Sequence, residues 1–312
     1  MRTPDVSEQV LYVHHSKLLE MLLFDRTTRR NILWATDDYT TVSSAHQARC
    51  EITPMAITGE FAGIIAPRTT KSRELQTGRT KDKAEVFTPA WLCNEQNNLI
   101  DEAWFGHKSV FNTPSRHGWR TNRSRITFAK HGARRWQKYV DEKRLEVTCG
   151  EAPYLVSRYD ATTGERIALK RRIGLLDRKM RVVSENTNSE RDWLKWAERA
   201  FQSVYGFEFQ GDNLLLAREN LLASYGDYMR AALHRSPTVG ELVRIARIIS
   251  WNLWQMDGLT GTIPFKEAPQ PTGMFALFPE ANDNVGPLCR IHDWRAKKTI
   301  TFVSLESGRN QL

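Results

Sequence analysis

No stretch of this sequence reaches the roughly 18 consecutive apolar residues that a membrane-crossing helix needs, and the N-terminus from Met1 to Glu20 carries acidic residues and histidines where a secretion signal needs an apolar core. A membrane protein or an exported one is excluded on this reading, which predicts a soluble, cytoplasmic chain with no membrane partner. Cysteine is scarce. Cys50, Cys93, Cys149 and Cys289 lie too far apart for a CxxC pair, so neither a zinc knuckle nor a dithiol redox centre is expected, and the thiols read as reduced and structural. No internal repeat breaks the chain into a solenoid.

What is present is a 312-residue chain with 40% apolar residues, enough for one large core or two modest ones. Its net charge is +9 and its pI about 9.5, a balance that favours a polyanionic partner through counterion release. Two stretches concentrate the cations. The first, Thr69 to Lys83, reads as a solvated loop or surface helix. The second, Arg116 to Arg144, interleaves Arg and Lys with Trp119, Phe128, Trp136 and Tyr139, a mixture that suits nucleic acid or an amphipathic helix with its aromatics inward. Sequence-independent contacts to DNA phosphates are the functional expectation for both, and solubility the plain one.

Periodicity divides the chain in two. Residues 8 to 35 place Val10, Leu11, Val13, Leu18, Leu19, Leu22, Leu23, Ile32 and Leu33 near helical spacing, so residues 1 to 83 read as an N-terminal helical and basic region. Thr88 and Pro89 are expected to open a helix over Trp91 to Trp104, because a threonine hydroxyl caps exposed amides and proline suits the first turn. From Arg144 the pattern becomes strand, helix, strand: short strands at Leu145 to Val147, Ser203 to Phe209 and Trp251 to Trp254 alternate with helical segments at Asn213 to Tyr225 and Glu241 to Ile249. Such alternation points to an α/β fold with a parallel sheet. A Pro-rich loop from Ile263 to Asn284 and a strand pair near Leu288 to Ile291 and Thr299 to Leu305 close the chain.

Four segments carry the functional expectation. Glu85-Val86-Phe87-Thr88-Pro89 stands before the first helix of residues 84 to 312. Leu145-Glu146-Val147-Thr148-Cys149-Gly150-Glu151-Ala152-Pro153-Tyr154-Leu155 forms a glycine-containing turn at the end of a strand, where a ligand can approach the backbone closely. Tyr205-Gly206-Phe207-Glu208-Phe209 ends a strand on an acid, the position from which a carboxylate accepts ribose hydroxyls in dinucleotide folds. Asn252-Leu253-Trp254-Gln255-Met256-Asp257-Gly258-Leu259 ends the third strand on another. Each segment alone reads equally as a helix cap, a turn, a surface acid or a helix-end aspartate.

In this order the four resemble the motif series of adenine-specific, S-adenosylmethionine-dependent DNA methyltransferases, and residues 80 to 305 resemble proteins described as restriction endonuclease subunit M. The resemblance implies a Rossmann-like methyltransferase fold with an N-terminal helical region. It implies a cofactor site built from Phe87, Thr88 and Pro89, from Glu146, Thr148, Cys149, Gly150 and Ala152 of the loop, from Glu208 at the ribose, and from Asp257 and Gly258 near the adenine. Three family positions differ: Val147 replaces a proline, Ala152 the second glycine, and Tyr154 another aromatic. The replaced glycine is expected to narrow the approach to the cofactor.

The NPPY motif, whose asparagine and aromatic hold the flipped target base in that family, is missing, as no NPP, DPP or SPP tripeptide occurs. The resemblance therefore implies a subunit that binds S-adenosylmethionine and DNA and needs a second restriction-modification subunit carrying the NPPY loop for catalysis. Two alternatives stay open: a non-catalytic DNA-binding or assembly subunit, and a nuclease subunit. For the last, Glu142-Lys143 is adjacent where a D…ExK pattern needs spacing, the adjacent His14 and His15 face different sides of a helix and suit a metal poorly, and Asp37-Asp38 reads as a helix-end cap.

Overall fold

The structure, a computed structural model, describes residues 6–71, 77, 79, 87–132, 135–267 and 286–307. The fold is mixed α/β. Helix α1 (Glu8–Leu23) starts at Ser7, whose hydroxyl accepts the Val10 N–H. Leu18, Leu19, Leu22 and Leu23 are fully buried, whereas Val10 and Val13 face outward. The helix expected to run to residue 35 stops at Leu23. Asp25 stops it: its carboxylate accepts both the backbone N–H and the hydroxyl of Thr28 at 2.7 Å, fixing a tight turn, the kind of local side-chain bond that competes with helix. After that turn the chain returns extended over residues 31 to 34, Phe24 bridging Asn31 and Leu33 bridging Glu51, and Ile32 and Trp34 enter the core from there.

A short helix α2 (Pro54–Ile57) follows, then α3 (Ala90–Phe105). The expected threonine cap is absent. Pro89 is the capping residue without a side-chain bond, and the first helical amide, Ala90 N–H, donates instead to the Asp160 carboxylate at 2.8 Å. The second basic stretch is mostly not helical. It holds an antiparallel hairpin, β1 (Asn112–Ser115) with β2 (Gly118–Thr121), and a helix α4 of only six residues (Trp136–Asp141). Its aromatics pack inward, Tyr139 against Trp104, Phe105 and Phe111, and Trp136 against Trp196.

Three strands form the centre: β3 (Arg144–Glu146), β4 (Val204–Glu208) and β5 (Leu253–Gln255), all parallel, in the order β3-β4-β5. All three fall where the alternation predicts strands. Parallel neighbours need a crossover, supplied by α5 (Leu175–Asn186) and α6 (Glu190–Phe201) between the first pair, and by α7 (Gly211–Leu233) and α8 (Val239–Asn252) between the second. Thr238 and Glu241 form a reciprocal capping box at the start of α8.

Successive side chains on a strand point to opposite faces, and each face here has its own core. Val204 and Leu253 join the helices and α1 in the main cluster. Tyr205, Phe207 and Trp254 pack on the other face with Ile291 and Phe302 of the closing hairpin, β6 (Arg290–Asp293) and β7 (Lys298–Thr301), which is the expected strand pair. A last helical turn, α9 (Ser304–Ser307), follows.

The N-terminal segment is locked to this sheet. Gln255 accepts the Leu33 N–H at 2.7 Å and donates to the Leu33 carbonyl at 2.8 Å. Gly211 donates to the Trp34 carbonyl at 2.9 Å, and a Cβ there would fall 1.9 Å from the Leu33 oxygen, so only glycine allows α7 to start against that strand. Among the described residues no helix is long and apolar enough to cross a membrane.

Candidate functional site

A cleft of about 650 Å³ opens beyond the carboxyl ends of β3 and β4. The loop after β3 makes its floor. Thr148, Gly150 and Ala152 alternate in left-handed backbone conformations, with φ of 46°, 52° and 62°, so the chain coils tightly beneath the opening. Glu146, the last residue of β3, holds that coil from below. Its carboxylate accepts the Tyr154 N–H at 3.2 Å and the Leu155 N–H at 3.1 Å. Burial is the largest influence on this carboxyl and raises its pKa to about 8, the Glu208 charge pushing the same way and the two amides opposing. Glu151 fixes the outer side, accepting the Arg68 N–H at 2.7 Å and the Tyr159 hydroxyl.

The second wall comes from the end of β4. Glu208 accepts the Gly150 N–H at 2.8 Å and the Gln210 N–H at 3.2 Å, so the acid at one strand end grips the glycine of the neighbouring loop. Phe87 closes the side. A Cβ on Gly150 would sit 3.6 Å from its ring, and the Arg68 guanidinium lies over that ring at 5.1 Å from the centroid.

Of the residues expected to hold a cofactor, Phe87, Thr88, Glu146, Thr148, Cys149, Gly150 and Glu208 all line this cleft. Four do not. Pro89 is spent on starting α3. Ala152 is fully buried, its N–H donating to the Cys149 carbonyl at 2.7 Å, so its methyl sits under the floor and the glycine it replaces would not widen the opening. Asp257 and Gly258 form the turn after β5, where the Asp257 carboxylate accepts the Leu259 N–H at 2.8 Å and Gly258 backs onto the Phe207 ring. The Cys149 thiol is pushed well above its ordinary range by burial and by the neighbouring Glu146 and Glu208, so it is an inert wall and not a nucleophile. Glu85 and Val86 lie outside the described residues.

The other walls come from residues that were not expected to hold a cofactor. Ala35, Thr36 and Asp37 arrive from the N-terminal strand-like segment, Asn213 from the first turn of α7, and Phe265 from the loop after β5. Just behind them Asp212 is fully buried among three side-chain partners: Lys71 Nζ at 2.9 Å, Arg79 at 2.7 Å and the Tyr39 hydroxyl at 2.8 Å. Lys71 and Arg79 are therefore turned inward, with Arg79 also paired to Asp38 at 2.9 Å. This corrects the expectation of a solvated stretch at those two positions, and an internal ion pair is what a cation buried this deeply requires. Most of residues 72–86 lies outside the described residues. In the second basic stretch Arg116, Arg120 and Arg123 remain exposed. The Asp37-Asp38 pair caps no helix: Asp38 accepts the Thr36 hydroxyl at 2.6 Å besides pairing with Arg79.

Chemically the cleft offers a carboxylate at a strand end, threonine hydroxyls, an exposed turn of backbone and aromatic walls, at a volume within the range that encloses a small organic ligand. The chain matches no family model, no curated protein and no solved structure.

Proposed function

We propose that this cleft binds S-adenosylmethionine and that the chain is the cofactor-binding subunit of a cytoplasmic DNA adenine methyltransferase of a restriction-modification system. The fold would then be one half of a Rossmann-like methyltransferase sheet, and a second subunit carrying the NPPY loop would complete the base site. One observation carries the reading. Three of the four segments that resemble the methyltransferase motifs, separated by more than a hundred residues from first to third, meet in one cleft at the carboxyl ends of adjacent parallel strands, where open α/β sheets bind their ligands.

The residues present fit such a cofactor. When bound, it supplies an electrophilic methyl group. The protein's part is to hold and shield it: Glu208 presents a carboxylate at the cleft wall, Thr88 and Thr148 add hydroxyls, and Phe87 and Phe265 supply apolar walls that exclude water.

A non-catalytic DNA-binding or assembly role on the same fold is favoured by a different observation: Glu208 already serves the loop structurally through two amides. Calorimetric titration of the purified chain with S-adenosylmethionine separates the two. Saturable binding at one site supports the cofactor reading, and the absence of heat at millimolar ligand rejects it.

A further inference from the structure

At the opposite end of the parallel sheet lies a second and larger cleft, of about 800 Å³, between α6, α8 and the turn that joins β6 to β7. Its place is fixed by the residues that lead into the strands. Gln202, just before β4, lines it, and Trp294 of the turn donates its indole N–H to Asn252, just before β5, at 2.7 Å. Arg295 anchors the same turn by pairing with Asp141 and donating to Gln202. The cleft is therefore a feature of packed elements, not of a loose loop.

Its lining carries five cations and three acids, and among the described residues four of the cations are unpaired. Arg191 and Lys195 stand four residues apart on α6, which puts them on one helix face about 6 Å from each other. Arg244 faces from α8 and Lys297 from the turn, where it occupies a left-handed position at φ 53°. All four are exposed, and among the described residues none forms an ion pair. The acids of the same cleft are already engaged. Glu190 and Glu241 both pair with Arg235, at 2.6 and 2.7 Å, and Glu198 accepts from Gln202 at 3.1 Å.

We propose that this cleft docks the phosphodiester backbone of nucleic acid. Cations facing each other across a groove repel, and a polyanion laid along it relieves that repulsion and releases counterions. An acidic peptide fits less well, because an extended peptide carries at most one charge per about 3.3 Å, whereas duplex nucleic acid carries one per about 1.7 Å of axis. Point charges on side chains hold phosphates without reading sequence. Since the cleft lies at the amino ends of the strands, nucleic acid held here is anchored away from the Glu208 cleft, and the assignment does not depend on what that cleft binds.

The test is fluorescence anisotropy of a labelled mixed-sequence DNA duplex of about 20 base pairs at about 50 mM salt, with parent protein and the variant R191Q/K195Q/R244Q/K297Q. The expected result is a loss of affinity of roughly tenfold or more, with the slope of log K against log salt smaller by about 3 to 4. The matched variant R116Q/R120Q/R123Q/K130Q, which removes exposed cations of the second basic stretch, is expected to lose less affinity than the cleft variant. Thermal midpoint and S-adenosylmethionine titration of the first variant should equal those of the parent, which separates this proposal from the cofactor reading. Undiminished binding by that variant, an equal loss in the matched variant, no binding by the parent, or equally good competition by polyglutamate would overturn the assignment.

Discussion

The backbone N–H of Gly150 donates to the carboxylate of Glu208 at 2.8 Å, joining the loop after β3 to the end of β4 across 58 residues of sequence. Two motifs that were separate in the chain thereby become one piece of structure. The contact also gives Glu208 a double task, since the oxygens that would meet a ligand's hydroxyls also set the shape of the floor beneath it.

Replacing Glu208 with alanine should therefore weaken S-adenosylmethionine binding by about 1 to 3 kcal/mol, the cost of losing a buried polar partner. Asp257→Ala should leave affinity unchanged, because its carboxylate is occupied in a turn outside the cleft. Titration calorimetry on both variants checks this pair, and the reverse ranking would move the site to the end of β5.

Glu146 makes stability depend on pH. Its carboxyl rises from an ordinary 4.5 to about 8 on folding. Between those values the folded protein holds a proton that the unfolded chain has released, so this residue's contribution is fully present below about pH 4.5, declines as pH rises through the window, and is flat above about 8. Glu146→Gln keeps an acceptor for the loop amides but carries no proton. The stability difference between variant and parent should shift in the variant's favour by about 2 to 4 kcal/mol from pH 5 to pH 8.5. Urea melts at a series of pH values measure it, and parallel curves would show that Glu146 is not the titrating group.

Asp212→Asn should cost about 3 to 5 kcal/mol of folding stability, because it leaves Lys71 and Arg79 buried beside a neutral amide. The mutation touches no exposed surface, so a shift of the urea midpoint is the readout. A loss below about 1 kcal/mol would mean that Asp38 and Gln210 satisfy Arg79 without Asp212.

The isolated chain should bind cofactor without transferring methyl groups. Transfer to an exocyclic amine needs the base out of its stack and held in line with the methyl donor, geometry that is worth several kcal/mol of barrier, and the sequence carries no NPPY loop to impose it. Incubation with radiolabelled S-adenosylmethionine and mixed-sequence DNA, with and without an NPPY-bearing partner, tests this. Label incorporated by the chain alone would defeat the split-enzyme reading.

By itself the sequence determined the elements whose signals are local. The strands at β3, β4 and β5 were legible because short apolar runs ended at turns, α8 because Glu241 to Ile249 is apolar at helical spacing, and the closing hairpin because two apolar segments flank a polar turn. The loop from Glu146 to Leu155 and the acid at Glu208 were legible as candidate site residues for the same reason: a turn and a strand end are properties of neighbouring residues.

Only the tertiary structure decided which of these candidates share a cleft. It placed Asp257 and Gly258 in a turn of their own, buried Ala152 under the floor, and brought Thr36, Asn213 and Phe265 in as walls. It also turned Lys71 and Arg79 from expected surface cations into partners of Asp212. The reason is the range of the forces involved. A hydrogen bond such as Leu33 to Gln255 spans 222 residues and the Asp212 ion pairs more than a hundred, so neither leaves a period, a cap or a turn in the local pattern, and each exists only once the chain has folded around it.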